Sequence, residues 1–88
     1  MQFTNGSDKE VRVGVYTEAQ MGAQHLCTQA QNVQPGANVV LHPNQVEQDG
    51  YYVAVWAQHG DAPLAAGPGR VRGGATVTFT GAWDLRVA

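Results

Sequence analysis

Hydrophobic and polar residues alternate in short runs along the chain, and turn-forming residues separate these runs at intervals of roughly 8–12 positions. The run Glu10–Thr17 shows the pattern most clearly. Val11, Val13 and Val15 occupy one side of it, and Tyr16 belongs to the other. A period of two is typical of a β-strand that buries one face.

The segment Tyr51–Gln58 differs because it is hydrophobic on both sides. One side holds Tyr51, Val53, Val55 and Ala57, and the other holds Tyr52, Ala54 and Trp56. A strand of this kind is usually central in its sheet and covered on both faces. The pattern therefore predicts a central strand whose second face needs a cover.

Two turns have specific sequence signals. Asn5-Gly6-Ser7-Asp8 predicts a hairpin turn after a first strand over residues 2–4, because Asn and Gly tolerate positive φ. Gln34-Pro35-Gly36-Ala37 predicts a type II turn with Gly36 at the position that needs positive φ. The remaining strands are predicted over His25–Val33, at a sheet edge, and over Asn38–His42, Val71–Arg72, Ala75–Gly81 and Trp83–Val87.

These elements predict an all-β fold, a small antiparallel two-layer β-sandwich of the jelly-roll or Ig-like type. We expect roughly seven or eight short strands, little or no helix, and a single domain over residues 1–88. Residues 18–24 are assigned to a loop. The predicted core consists of Phe3, Val11, Val13, Val15, Leu26, Val39, Leu41, Val53, Val55, Val77, Phe79, Leu85 and Val87.

Composition narrows the possible partners. The chain has 88 residues, of which 43% are hydrophobic and 14% charged, and its net charge is −2. Five scattered basic residues do not form the dense positive face that nucleic acid requires, so no nucleic-acid partner is expected. No hydrophobic run is long enough to span a membrane as a helix. A small domain with so modest a core favours self-association, which hides further hydrophobic surface.

The single cysteine, Cys27, excludes an internal disulfide. The residues from Met1 to Asn5 lack the basic and hydrophobic parts of a signal peptide, so we expect cytosolic synthesis and leave the final location open. Release or assembly by another route is kept as an alternative. Asn5-Gly6-Ser7 also matches the N-glycosylation sequon, although a turn is the simpler interpretation.

The sequence offers little that favours catalysis or a cofactor. The only serine, Ser7, has no neighbouring general base. His25 and Cys27, two positions apart on a predicted strand, present two ligands of the kind that zinc accepts. This spacing keeps a metal-binding protein as an alternative, but no metal or other cofactor is assigned, and we expect a protein that is not an enzyme.

The strongest candidate site is aromatic. If the valines of the two longest runs face the core, then Tyr16, Tyr52 and Trp56 lie on the opposite face of their sheet. Aromatic rings stack on the apolar faces of sugars, and the neighbouring Gln58, His59 and Asp61 supply polar groups for sugar hydroxyls. A loop or a second subunit covering the same rings is an equally direct interpretation.

The leading expectation is therefore a non-catalytic, self-associating binding module, with carbohydrate (a lectin-like role) as the first choice of small ligand. Another protein is a further candidate partner. The alternative from a different class is a structural building block of a larger homo-oligomeric assembly, such as a decoration or coat protein. The third interpretation is the metal-binding protein built on His25 and Cys27.

Overall fold

The computed structural model describes residues 1–17, 30–42, 50–57, 65–66, 70–80 and 85–88. In this part of the chain all regular structure is β, and no helix occurs. The strands are β1 (Gln2–Asn5), β2 (Val11–Tyr16), β3 (Gln31–Val33), β4 (Asn38–Val40), β5 (Tyr52–Ala57), β6 (Ala65–Ala66), β7 (Thr76–Phe79) and β8 (Leu85–Val87). The all-β prediction is thus confirmed.

The strands form two four-stranded sheets. The first sheet has the order β4-β1-β7-β8, and the second has the order β3-β2-β5-β6. The predicted antiparallel arrangement holds for every strand pair except β1 and β7, which run parallel with Phe3 opposite Val77. A parallel pair needs a crossover connection, and here the chain between β1 and β7 passes through the second sheet.

The core lies between the sheets, as expected of a small β-sandwich. Phe3, Val77 and Phe79 from the first sheet and Val13 and Val55 from the second have no exposed surface. Other predicted core residues, Val11, Val15, Leu41, Val53 and Leu85, are buried with them. Burying a side chain of this size contributes roughly 1.5–3 kcal/mol, so this cluster supplies most of the driving force for folding.

The predicted core differs from the structure at its margins. Val87 is 41% exposed because β8 is the outer strand of its sheet, and Val39 is half-buried at the opposite edge. Leu26 lies outside the described residues. Three buried residues, Val33, Tyr51 and Val71, were missing from the predicted set.

The predicted hairpin at Asn5-Gly6-Ser7-Asp8 is wrong. β1 and β2 belong to different sheets, so this turn carries the chain from one layer to the other. The Asn5 side chain, fully buried, holds the corner: its amide nitrogen donates to the carbonyls of Lys9 at 2.8 Å and Val33 at 2.9 Å. Its amide oxygen accepts from the backbone N–H of Ser7 at 3.0 Å. Asn5 acts as the side chain of an Asx-type turn and not as a left-handed hairpin residue.

The sequon at the same corner is closed for the same reason. A glycan on the Asn5 nitrogen would replace one of its two N–H donors, break one of these hydrogen bonds and need space in a site with no exposed surface. The folded chain therefore uses Asn5-Gly6-Ser7 as a turn.

The type II turn at Gln34-Pro35-Gly36-Ala37 is confirmed. Gly36 has φ of +77°, and the Ala37 N–H donates to the Gln34 carbonyl at 3.0 Å. Only a residue without Cβ adopts this φ freely, so glycine fits the third position. The turn joins β3 in the second sheet to β4 in the first.

The remaining differences concern short elements. The two-residue strand β6 was not predicted, because two alanines have no alternating hydrophobic pattern. Val71 forms a single bridge with Tyr51 and no continuous strand. The edge strand predicted over His25–Val33 is described only from Ala30 onward, and its β-structure there is Gln31–Val33. The described residues include no helix that could cross a membrane.

Candidate functional site: the aromatic face

The outer side of the second sheet carries the aromatic residues. The β2–β5 register places Tyr16 opposite Tyr52 and Arg12 opposite Trp56, with Gly14 opposite the buried Ala54 between them. Since side chains alternate along a strand, these six residues share one side, away from the valine core. We call this set, Arg12, Gly14, Tyr16, Tyr52, Ala54 and Trp56, the aromatic face.

The rings on this face contact each other across the small central pair. Tyr16 and Trp56 lie at diagonally opposite corners of the face, on either side of the Gly14–Ala54 pair, and their ring centroids are 6.4 Å apart with the planes tilted by 48°. Gly14 and Ala54 leave room for this approach because neither has a side chain beyond Cβ. Tilted aromatic pairs at such separations stabilise a fold beyond their area burial. The two rings therefore form a packed second cluster, separate from the main core, with Ala54.

Two of the three rings on the aromatic face are buried within the single chain. Tyr16 is 6% exposed and Trp56 is 8% exposed within the single chain. Burial raises the pKa of the Tyr16 phenol, and the positive charge of Arg12 opposes that rise. Neither a second subunit nor a ligand is needed to remove these two rings from water.

Tyr52 is the partly accessible ring of the face, and Arg12 at the other end of the face is exposed. Its side chain is half-buried and packs against the Tyr16–Trp56 cluster. Its hydroxyl accepts a hydrogen bond at 3.2 Å from Nε of Arg70, which is exposed. The Tyr52 hydroxyl and the Arg70 guanidinium group thus meet at the surface, and the cluster of the two buried rings packs against Tyr52.

Three of the six predicted site residues, all of them aromatic, lie in the described part of the chain. The structure brings Tyr16, Tyr52 and Trp56 onto one face, whereas Gln58, His59 and Asp61 lie outside the described residues. Arg70 was not among the predicted site residues. No local signal marks it, since it follows the turn-forming Gly67-Pro68-Gly69, and only the folded chain places it beside Tyr52.

Metal and nucleophile candidates gain no support in the described ranges. Within them, no group of three or more His, Cys, Asp and Glu side chains is placed to hold a metal ion. His25 and Cys27 lie outside these ranges. The Ser7 hydroxyl donates its proton to Oδ1 of Asn5 at 2.6 Å and also lies 3.0 Å from the Lys9 carbonyl oxygen, so it belongs to the turn.

The outer side of the first sheet has a different character. Cross-strand register aligns two polar rows, Val40-Gln2-Thr76 and Asn38-Thr4-Thr78-Arg86. The hydroxyl of Thr4 donates to Oδ1 of Asn38 within the second row. Every residue of these rows is exposed or half-buried. The outer strands of this sheet carry the exposed large hydrophobic residues of the described chain, Val40 at 51% and Val87 at 41%.

No protein-family model, curated protein or solved structure matches the chain significantly.

Proposed function

We propose that the protein is a non-catalytic, self-associating β-sandwich binding module whose small ligand is a carbohydrate, held at the accessible margin of the aromatic face. The observation that carries this proposal is the pairing of Tyr52 with Arg70. A half-buried ring lies at the surface beside a guanidinium group that donates to its hydroxyl at 3.2 Å.

The chemistry of this pair suits a sugar. A tyrosine ring presents an apolar surface with a polar tip, which matches the alternation of C–H and O–H groups on a pyranose. Arginine offers five N–H donors in a fixed geometry, and one of them already orients the Tyr52 hydroxyl. Guanidinium N–H groups donate well to the hydroxyl oxygens of saccharides.

The buried rings give this site rigidity. The ring centroids of Tyr16 and Trp56 are 6.4 Å apart, and both residues are nearly fully buried. The two rings therefore form a fixed support for Tyr52 and leave little ring surface of their own for stacking. A platform locked by packing reduces the entropy lost when a ligand is bound. We therefore assign direct sugar contact to Tyr52 and support to Tyr16 and Trp56.

Binding on a glycan array, with wild type, Tyr52→Ala and Thr78→Ala compared side by side, tests this assignment. Thr78 is the matched control because it is half-buried on the outer side of the other sheet. We expect wild type and Thr78→Ala to bind the same saccharides and Tyr52→Ala to lose at least about tenfold in affinity, or roughly 1.4 kcal/mol. Absence of any saccharide signal for wild type, or full binding by Tyr52→Ala, would rule the proposal out.

Self-association is assigned to the outer edge of β4, whose one partner among the described strands is β1. The hydrogen bonds of Ala37 and Leu41 point toward β1, so in the alternating antiparallel pattern the backbone groups of Asn38 and Val40 point away from it. β4 has no charged residue, and its Val40 is 51% exposed. Native edge strands usually carry a charge or a proline against pairing, and β4 itself carries neither.

Twofold pairing of β4 with its copy fits this edge well. With Val39 on the axis, Asn38 of each chain lies opposite Val40 of the other, and the outward backbone groups of both residues find partners. The other outer strand, β8, carries Arg86, so the same twofold pairing centred there would bring two guanidinium groups together. This difference in charge favours a β4 dimer over a β8 dimer.

The second candidate function, a building block of a larger homo-oligomer, is favoured by one specific observation. Both outer strands of the first sheet expose a valine, Val40 on β4 and Val87 on β8. Pairing β4 of one copy with β8 of the next is a head-to-tail contact, which produces rings or filaments instead of closed dimers. Independent substitutions in β4 and in β8 distinguish the closed dimer from the ring or filament.

A further inference from the structure

The dipeptide Asn5-Gly6 combines two residues that are chemically reactive together. In a flexible chain the Gly6 backbone nitrogen attacks Cγ of Asn5, forms a new C–N bond and expels the side-chain nitrogen as ammonia. Water then opens the resulting succinimide ring at either carbonyl, which gives aspartate or isoaspartate. No oxidant or reductant takes part. Glycine is the most favourable second residue, since it lacks a Cβ that would restrict the backbone.

The fold removes each requirement of this attack. Asn5 is an extended β1 residue opposite Phe79, with no exposed surface. The attacking nitrogen is occupied, because the Gly6 N–H donates to the Phe79 carbonyl at 2.7 Å. The leaving nitrogen of Asn5 is held by the carbonyls of Lys9 and Val33 at 2.8 and 2.9 Å.

The electrophilic side of the amide is held as well. Oδ1 of Asn5 accepts from the Ser7 N–H at 3.0 Å and from the Ser7 hydroxyl at 2.6 Å. Rotation of Cγ toward the Gly6 nitrogen would break all four side-chain hydrogen bonds at once, and the backbone bond to Phe79 would also have to open. Water, the second reactant, is excluded from the site.

We propose that Asn5 is a conformation-gated modification site: the unfolded chain deamidates there, and the folded chain does not. The rate of modification then reports the fraction of time that the corner between the two sheets is open.

The products cannot return to the native corner. An aspartate would place a carboxylate oxygen where the amide nitrogen stands, against two carbonyl oxygens in a dry site, and a buried carboxylate without donors is strongly disfavoured. An isoaspartate adds one methylene group to the backbone of β1 and so shifts its pairing with β4 and β7. Each unfolding event that leads to modification is therefore irreversible.

Two other asparagines provide internal controls. Asn32 and Asn38 are exposed, and each is followed by a valine, whose branched Cβ hinders attack by its own nitrogen. A general change in the deamidation rate with solution conditions affects Asn5, Asn32 and Asn38 alike. A conformational gate affects Asn5 alone.

The test is peptide mapping by mass spectrometry of the protein kept native or unfolded in urea at the same mildly alkaline pH. In urea we expect Asn5 to deamidate at least about tenfold faster than Asn32 or Asn38. In native buffer we expect its rate to fall by at least about 100-fold, in line with the small fraction of unfolded molecules in a folded population. Equal rates for Asn5 in the two conditions, or no preference for Asn5 in urea, would overturn the proposal.

Two variants complete the test. Gly6→Ala, measured only in urea, should slow the reaction at Asn5, and an unchanged rate would contradict the proposed attack. Asn5→Asp represents the aspartate product, and we expect its urea midpoint to lie well below that of wild type or no folded state to form. A variant as stable as wild type would refute the claim of irreversibility.

Discussion

The side-chain amide of Asn5 donates to the backbone carbonyl of Val33 at 2.9 Å and so joins β1 of the first sheet to β3, the edge strand of the second. The same nitrogen also donates to the Lys9 carbonyl at 2.8 Å. Asn5, the one buried polar side chain among the described residues, therefore links the two layers beside their hydrophobic packing. Such a link specifies how the layers are positioned, because it is satisfied in only one arrangement.

We expect Asn5→Ala to lower the free energy of unfolding by about 1–3 kcal/mol, because it removes the Asn5 donor from the Val33 and Lys9 carbonyls and the Asn5 acceptor from the Ser7 N–H. Urea unfolding followed by circular dichroism measures the change. Asn38→Ala is the matched control, since Asn38 is exposed, and its effect should be within about 0.5 kcal/mol. Equal effects of the two substitutions would argue against a buried corner.

Gly6 is required by space. A Cβ at this position would lie 2.9 Å from the Phe79 carbonyl oxygen, whereas one at Gly74 would meet nothing within 4 Å. We expect Gly6→Ala to cost about 1–3 kcal/mol, as overpacking usually does. Gly74→Ala should be neutral or stabilise by up to about 1 kcal/mol, because alanine restricts the unfolded chain. Thermal unfolding of both variants checks the contrast, and a neutral Gly6→Ala would contradict the observed close approach.

The buried phenol of Tyr16 predicts a loss of stability in alkali. Burial raises the pKa of Tyr16 above its ordinary value of 10.0. The folded state thus holds the phenolic proton more tightly, and its contribution to stability is complete below pH about 10 and is lost as the pH rises through the folded-state value. Phenylalanine at position 16 cannot ionise. As the pH rises over this range, the unfolding free energy of wild type should therefore fall relative to that of Tyr16→Phe. Parallel curves would show that Tyr16 does not ionise differently on folding.

The β4 edge predicts an asymmetry between two exposed valines. Val40→Lys places an ammonium group beside the proposed twofold axis and should weaken dimerisation by at least about tenfold, whereas Val87→Lys on the opposite edge should leave it unchanged. Sedimentation velocity measures both. If instead both substitutions abolish a ring or filament, the head-to-tail assembly is correct and the dimer is not. A monomer at all concentrations in wild type would remove self-association from the account.

Much of the fold follows from local patterns. Strict alternation over Val11–Val15 and around Val77 and Phe79 predicted which side chains enter the core, because the period of a strand fixes its faces. The same reasoning placed Tyr16, Tyr52 and Trp56 on a common outer face. The turn at Gly36 was predictable because positive φ at the third position of a type II turn is a local requirement.

The features that sequence reasoning missed depend on partners distant in the chain. Taken locally, Asn5-Gly6 predicts a hairpin. In the fold, however, the Asn5 side chain donates to the carbonyl of Val33, 28 residues away, and β1 pairs in parallel with β7. Val33 and Val71 were missed because each lies in a short or polar stretch without clear alternation. Arg70 has no local pattern that would assign it to Tyr52.

The most direct test of the binding site is nuclear magnetic resonance of the isotopically labelled protein, titrated with the saccharide that gives the strongest array signal. We expect the largest chemical-shift changes at Tyr52 and Arg70, smaller ones at the Trp56 indole N–H, and none at Thr76 and Thr78 on the other sheet. Changes concentrated on the polar rows of the first sheet, or no change at the Tyr52–Arg70 pair, would contradict the proposed binding site.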